Sequence, residues 1–154
     1  MSEKFSDYDL PQRKYNFKTD LAYGKRGEKL VDEFLETLST GAFEVKTDRY
    51  RNGRMVLEME QNPRRKVDEQ GKALWQPSGL AVTKAVWWVY VYTLDGAFIM
   101  VSVNRIKRYL KVHKSDETKY KDFAKASSNP CRGFLLEPDE VMDMLINKDY
   151  DDEV

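Results

Sequence analysis

Charged side chains stand inside segments whose period is that of strands, and this constrains the chain more than any other feature. Phe43-Glu44-Val45-Lys46-Thr47-Asp48 alternates residue by residue between apolar or small and charged side chains. Past Asn52-Gly53, the stretch Met55-Val56-Leu57-Glu58-Met59-Glu60 repeats the pattern and brings two more carboxylates. Carboxylates that approach one another repel, so a metal ion or a lysine has to offset them. The pattern points toward metal-dependent phosphodiester chemistry.

Register decides whether these groups meet. A two-residue Asn52-Gly53 loop sets Asp48 on the face of Leu57. A three-residue loop, Arg51-Asn52-Gly53 with a left-handed glycine, pairs Tyr50 with Arg54 instead. The second register puts Phe43, Val45, Thr47, Met55, Leu57 and Met59 on one face and Glu44, Lys46, Asp48, Glu58 and Glu60 on the other. A one-residue slip mixes the two faces, so the apolar pattern favours the odd loop. The charged face also reads as a solvated hairpin, with cross-strand Lys–Glu pairs contributing roughly 0.2–1 kcal/mol each.

Around this hairpin the chain reads as one domain of α/β or α+β class, at 154 residues. Residues 1–18 read as an N-terminal arm, 19–148 as the domain and 149–154 as an acidic tail. A helix capped by Thr19 or Asp20 runs to about Leu38, with Glu28 at the margin of its apolar stripe. Residues 62–77 show no apolar period, and Asn62 to Lys66 offers nothing to a core. A short helical segment opens at Ser78-Gly79-Leu80, where hydroxyl and amides suit a phosphate, although a plain helix cap reads equally well. Ala85–Tyr92 is a strand, joined through Leu94-Asp95-Gly96 to a second strand over 97–103. A basic helix covers 104–113, residues 133–136 form a short edge strand, and Pro138 opens a last helix.

Apolar residues make up 41% of the chain and charged residues 34%, a globular balance. The longest apolar run is too short for a membrane span, and no secretory leader is evident. One cysteine, Cys131, excludes an internal disulfide framework, which suits a cytoplasmic protein. With 26 basic and 26 acidic residues, bulk charge does not announce a nucleic-acid binder. Basic residues nevertheless cluster: Arg51 and Arg54 in the turn, Arg64, Arg65 and Lys66 in the loop, and Arg105, Lys107, Arg108 and Lys111 on the helix. His113 is the single histidine and sits in that basic helix, which argues against nucleophilic serine or cysteine catalysis.

Taken in order, Gly24-Lys25-Arg26-Gly27-Glu28, Glu44-Val45-Lys46-Thr47-Asp48, Leu57-Glu58-Met59-Glu60, Pro77-Ser78-Gly79-Leu80, Thr83-Lys84-Ala85, Trp87-Trp88-Val89-Tyr90 and Gly133-Phe134-Leu135-Leu136-Glu137-Pro138 resemble the PD-(D/E)XK nuclease superfamily. Within it, the likeness is to small nuclease-like proteins of bacteriophages, over about residues 20 to 145. The resemblance implies a restriction-endonuclease-like fold, a mixed central β-sheet flanked by helices. It also implies Mg²⁺ (or Mn²⁺) on Asp48 and Glu58, with Glu28 orienting a second metal or a water. DNA would be the substrate, met by Ser78, Gly79, Arg51, Arg54, Arg64 and Arg65. The residue two after Glu58 is Glu60, where the family pattern has lysine, so the ammonium falls to Lys46 or Lys84. This departure leaves a second reading open: a non-catalytic module of the same fold that binds nucleic acid or a protein partner, as a phage protein acting on host machinery would. A homodimer is compatible with either.

Overall fold

The computed structural model describes residues 17–37, 40–115 and 119–152. It is an α+β fold whose residues divide into two units, Met1–Thr40 and Gly41–Val154. Of the expected arm, residues 1–16 lie outside the described residues, while Phe17 already belongs to helix α1 (Phe17–Glu36). None of the residues of α1 is buried.

Among the described residues, the second unit holds seven strands in two sheets. A three-stranded sheet has β1 (Phe43–Thr47) beside β4 (Trp87–Thr93) and β4 beside β5 (Ala97–Ser102). A four-stranded antiparallel sheet runs β3 (Gln76–Pro77), β2 (Met55–Gln61), β7 (Cys131–Leu136), β6 (Lys121–Phe123). The expected hairpin of Phe43–Asp48 with Met55–Glu60 is therefore not formed. Strand β1 pairs in parallel with β4, Glu44 beside Trp88 and Lys46 beside Tyr90. Strand β2 pairs with β7, Leu57 beside Phe134 and Glu58 beside Gly133. The segment around Asn52-Gly53 carries the chain from one sheet to the other. Gly53 is left-handed as expected, but so is Arg51.

Pairing with β4 also reverses the expected polarity of β1. Its inner neighbours are Trp88 and Tyr90, both buried, so Glu44 and Lys46 are the half-buried residues and Val45 is left 49% exposed. An edge strand that turns charges inward resists pairing with another chain, which is one way natural sheets protect an open edge.

Strand β2 keeps its apolar face. Met55 and Leu57 are wholly buried, with Phe134 and Leu136 of β7, Trp88 and Tyr90 of β4 and Val101 of β5 in one core. The Tyr90 hydroxyl accepts the Val56 N–H at 3.1 Å and ties the two sheets together. Between Glu58 and Glu60 the ladder shifts by one residue, with Met59 as the extra residue of a bulge. Glu58 stays on the face of Gly133 and Cys131, whereas Glu60 moves to the face of Arg132 and Phe134. The two carboxylates do not share a face as expected.

Strand β7, expected at an edge, lies between β2 and β6. Helix α2 (Val103–His113) is capped by the Ser102 hydroxyl, which accepts the Arg105 N–H at 3.0 Å. It buries Val103, Ile106, Tyr109 and Leu110. Helix α3 (Pro138–Ile146) opens with proline in its first turn and a capping box between Glu137 and Glu140. Arg105 and Arg108 do not point to solvent. Arg105 donates to the carbonyls of Met144 and Asn147, and Arg108 to that of Tyr150, supplying donors to the end of α3 and the turn after it. The acidic stretch from Asp149 is no free tail within the described residues: Tyr150 is buried, and Asp151 and Asp152 pair with Arg105 and Arg108.

Gly133 is required by the close approach of β2. A Cβ there would collide with the Leu57 carbonyl oxygen and stand 2.9 Å from the Met59 nitrogen and 3.0 Å from the Glu58 Cα. Since overpacking against backbone cannot relax by a rotamer change, Gly133→Ala should cost about 3 kcal/mol of stability in urea unfolding. An unchanged midpoint would show that the strands are not held this closely.

Candidate functional site

Four of the expected residues fall on or near one inward face, though by a different topology from the hairpin. Lys46 and Glu58, from different sheets, line a single cavity of about 180 Å³, together with Thr47, Val56, Trp88, Tyr90 and Cys131. Glu44 lies 2.8 Å from the Lys46 ammonium. Its other oxygen accepts the Thr83 hydroxyl at 2.7 Å, and Thr83 in turn accepts the Ala85 N–H. Lys46 also stands 5.5 Å from the centre of the Trp88 ring, a cation–π contact. Burial pushes the Glu44 carboxyl up, but the hydrogen bonds from Lys46 and Thr83 and the Lys46 charge outweigh it and hold the group below its ordinary value. A depressed carboxylate stabilises the fold above the ordinary carboxylate range, and that contribution is lost as pH falls through the folded value.

Asp48 follows Lys46 on the same face. Its backbone N–H donates to the Val91 carbonyl, and its carboxylate accepts the Arg51 N–H at 3.0 Å, closing the turn after β1. Burial raises the Tyr92 phenol to about 12, with Tyr90 and the Asp48 charge adding to it. Asp48 is thus beside the tyrosines of β4, where it also serves as a turn cap.

The remaining candidates of the second unit are placed elsewhere in it. Glu60 is bound by Arg132 through Nε at 2.6 Å and through Nη2, and the Arg132 guanidinium lies 4.5 Å from the Trp75 ring and 5.6 Å from that of Tyr120. Glu60 is therefore neutralised on the opposite side of the sheet from Glu58. Lys84 is exposed and is not among the residues of the cavity. Glu28 is exposed on α1 of the first unit. Ser78 is buried, and the site of a Cβ on Gly79 is taken by the backbone and Cβ of Glu58, the latter at 2.9 Å. Ser78-Gly79 is thus a packing element against β2 and not an open phosphate cradle. Its helical turn is only three residues long.

The basic residues divide in the same way. Arg54 is paired with Glu137 at 2.8 Å. Arg65 donates to the carbonyls of Ser127 and Lys125, and so holds the loop before β7. Asn62, expected to give nothing to the core, is buried and bonds the Lys66 and Pro130 carbonyls. Arg51 and Arg64 are exposed, with no ion pair among the described residues.

Among the described residues, no three His, Cys, Asp or Glu side chains are grouped so as to hold a metal ion. Asp48 closes the turn after β1, while Glu58 lines the cavity from β2. The sequence reading missed Trp88, Tyr90, Thr83 and Cys131 as site residues. Trp88 and Tyr90 read as core, and only the parallel partner of β1 reveals that their face is the charged one. No protein-family model, curated protein or solved structure matches this chain.

Cys131 reports on the site. Burial, then the charge of Glu58 and a hydrogen bond with it, push the thiol from 9.0 to about 11. Two units correspond to about a hundredfold less thiolate near neutral pH. Iodoacetamide should therefore alkylate native Cys131 far more slowly than the urea-unfolded chain, and Glu58→Gln should speed the native reaction. Equal native rates with and without Glu58 would mean that Glu58 does not face the thiol.

Proposed function

We propose that this chain acts on nucleic acid as a nuclease, with the cavity of Lys46 and Glu58 as its reaction centre. The observation that carries this reading is the convergence of these two side chains from separate sheets on one small cavity. A second feature of the same cavity supports it. Trp88 is wholly buried and lines it, yet the indole N–H has no hydrogen-bond partner among the described residues. An indole N–H can only donate, and an unpaired buried donor calls for an acceptor. A phosphate in the cavity would meet the Lys46 ammonium, which offsets its charge, while the indole N–H lies behind the cavity wall.

In this reading Glu58 takes a proton from a water molecule, whose oxygen forms a bond to phosphorus. The bond from phosphorus to the leaving oxygen then breaks, and that oxygen takes a proton from solvent. Lys46 stabilises the charge that builds on the non-bridging oxygens. Glu44 and Thr83 hold Lys46 in place. Arg51 and Arg64 meet the flanking backbone, giving binding that weakens with salt and carries little sequence preference. A free thiol at Cys131 suits a reducing cytoplasm. No helix among the described residues is long and apolar enough to cross a membrane.

A non-catalytic nucleic-acid-binding module is the second reading, favoured by the absence of a grouped metal-ligand set among the described residues and by the Glu60–Arg132 pairing. Cleavage and binding of single- and double-stranded DNA, each with EDTA, Mg²⁺ or Mn²⁺, separate the two. The nuclease reading expects cleavage that drops by about 10²-fold or more in Glu58→Gln and in Lys46→Met, with DNA binding kept in Glu58→Gln. Undiminished cleavage in Glu58→Gln would remove the reaction centre from this cavity. Binding without cleavage would establish the second reading, and the absence of both at low salt would end the two together.

A further inference from the structure

Helix α2 sorts its basic residues by type. Arg105 and Arg108 turn toward the end of α3 and the turn after it, where they bond carbonyls and the carboxylates of Asp151 and Asp152. The lysines do something else. Lys107, Lys111 and Lys114 recur at i, i+4 and i+7, which puts them in one row along the helix. That row borders a cavity of about 430 Å³ whose floor includes Met59 of β2, Tyr120 just before β6 and Phe134 of β7. The volume is within the range of small-ligand sites. Lys114 is paired with Glu140 at 3.0 Å, whereas Lys107 and Lys111 are exposed and have no ion-pair partner among the described residues.

An apolar floor under a row of two uncompensated ammonium groups has a definite chemical complement. We propose that this cavity binds a small anion that carries an apolar body, the body lying on Met59, Tyr120 and Phe134 and the anionic group meeting Lys107 and Lys111. The floor excludes a bare inorganic ion as the best occupant, because such an ion leaves apolar surface in water and gains only the exposed lysines. The row of lysines equally disfavours a neutral apolar ligand. Two sources fit the chemistry: a nucleotide, with base below and phosphate above, or an alkyl carboxylate. The cavity lies on the Met59 and Phe134 side of the four-stranded sheet, whereas the Lys46–Glu58 cavity lies on the Cys131 side, so ligand binding here is separable from the reaction centre.

Titration of the full chain with deoxyadenosine monophosphate and with octanoate, followed by calorimetry and by amide chemical shifts, tests this. At least one of the two should bind saturably and shift amides of α2 and of Met59 and Phe134. Which one binds identifies the source. Lys107→Glu combined with Lys111→Glu should weaken binding by at least about tenfold with an unchanged melting temperature. Ala81→Trp, which fills the cavity from its rim and leaves the charges in place, should abolish it. Failure of both ligands to bind at millimolar concentration, or binding that survives both sets of substitutions, would overturn the proposal.

Discussion

Glu58 is approached by glycine on both sides. Gly133 crosses it on β7, and Gly79, left-handed, lies against its carbonyl and Cβ from the turn that follows β3. No side chain fits at either position, so the backbone of β2 is pinned just where its ladder slips by one residue. The bulge at Met59 then separates two carboxylates that are only two residues apart. Glu58 is left on the side of Cys131 and the cavity, while Glu60 is delivered to Arg132. Without the bulge both acids would crowd one face beside Lys46, and Arg132 would lose its partner.

The consequence is a division of electrostatic labour between the faces of one sheet. On one side, Glu60 and Arg132 form a pair that is clasped by Trp75 and Tyr120, an arrangement that holds β7, β2 and the preceding loop together. On the other side Glu58 lines a cavity in which Lys46 is also held by Glu44, and where an indole donor has no partner among the described residues. A buried charge that already has a close partner is structural. In the proposed reading, chemistry falls to groups such as Glu58 that face space. By the same criterion Arg65, Arg105 and Arg108 are clamps on carbonyls, whereas Arg51, Arg64, Lys107 and Lys111 are among the exposed cations with no ion pair among the described residues.

Local signals in the sequence were sufficient for the elements whose determinants are local. Pro138 with the Glu137–Glu140 box opens α3, the turn at Leu94-Asp95-Gly96 joins β4 to β5, and the apolar period of the first helix matches α1. That Glu44, Lys46 and Asp48 share one face followed from strict alternation, although not that this face turns inward. What could not be seen was which strand each segment would choose. Asn52-Gly53 is a strong hairpin signal, but β1 gains more by lying parallel to the aromatic β4, and β2 by lying between β3 and β7. Those partners are distant in sequence, and context of this kind overrides strand pattern and turn chemistry. The polarity of β1 reversed for the same reason. Strand β6 is three residues long and carries no pattern, so β7 read as an edge. Gly133 was visible as a glycine inside an apolar strand, which is a known mark of close backbone approach. It was the one available sign of the bulge.

The pairing of β1 decides whether Lys46 meets Glu58 across a cavity or along a hairpin. Nuclear Overhauser contacts in the isotope-labelled protein measure this directly. The structure predicts backbone contacts from residues 44–47 to residues 88–91 in parallel register, with no Hα–Hα contacts between residues 44–48 and 54–60. Strong Hα–Hα contacts between those last two segments would show an antiparallel hairpin and would contradict the account.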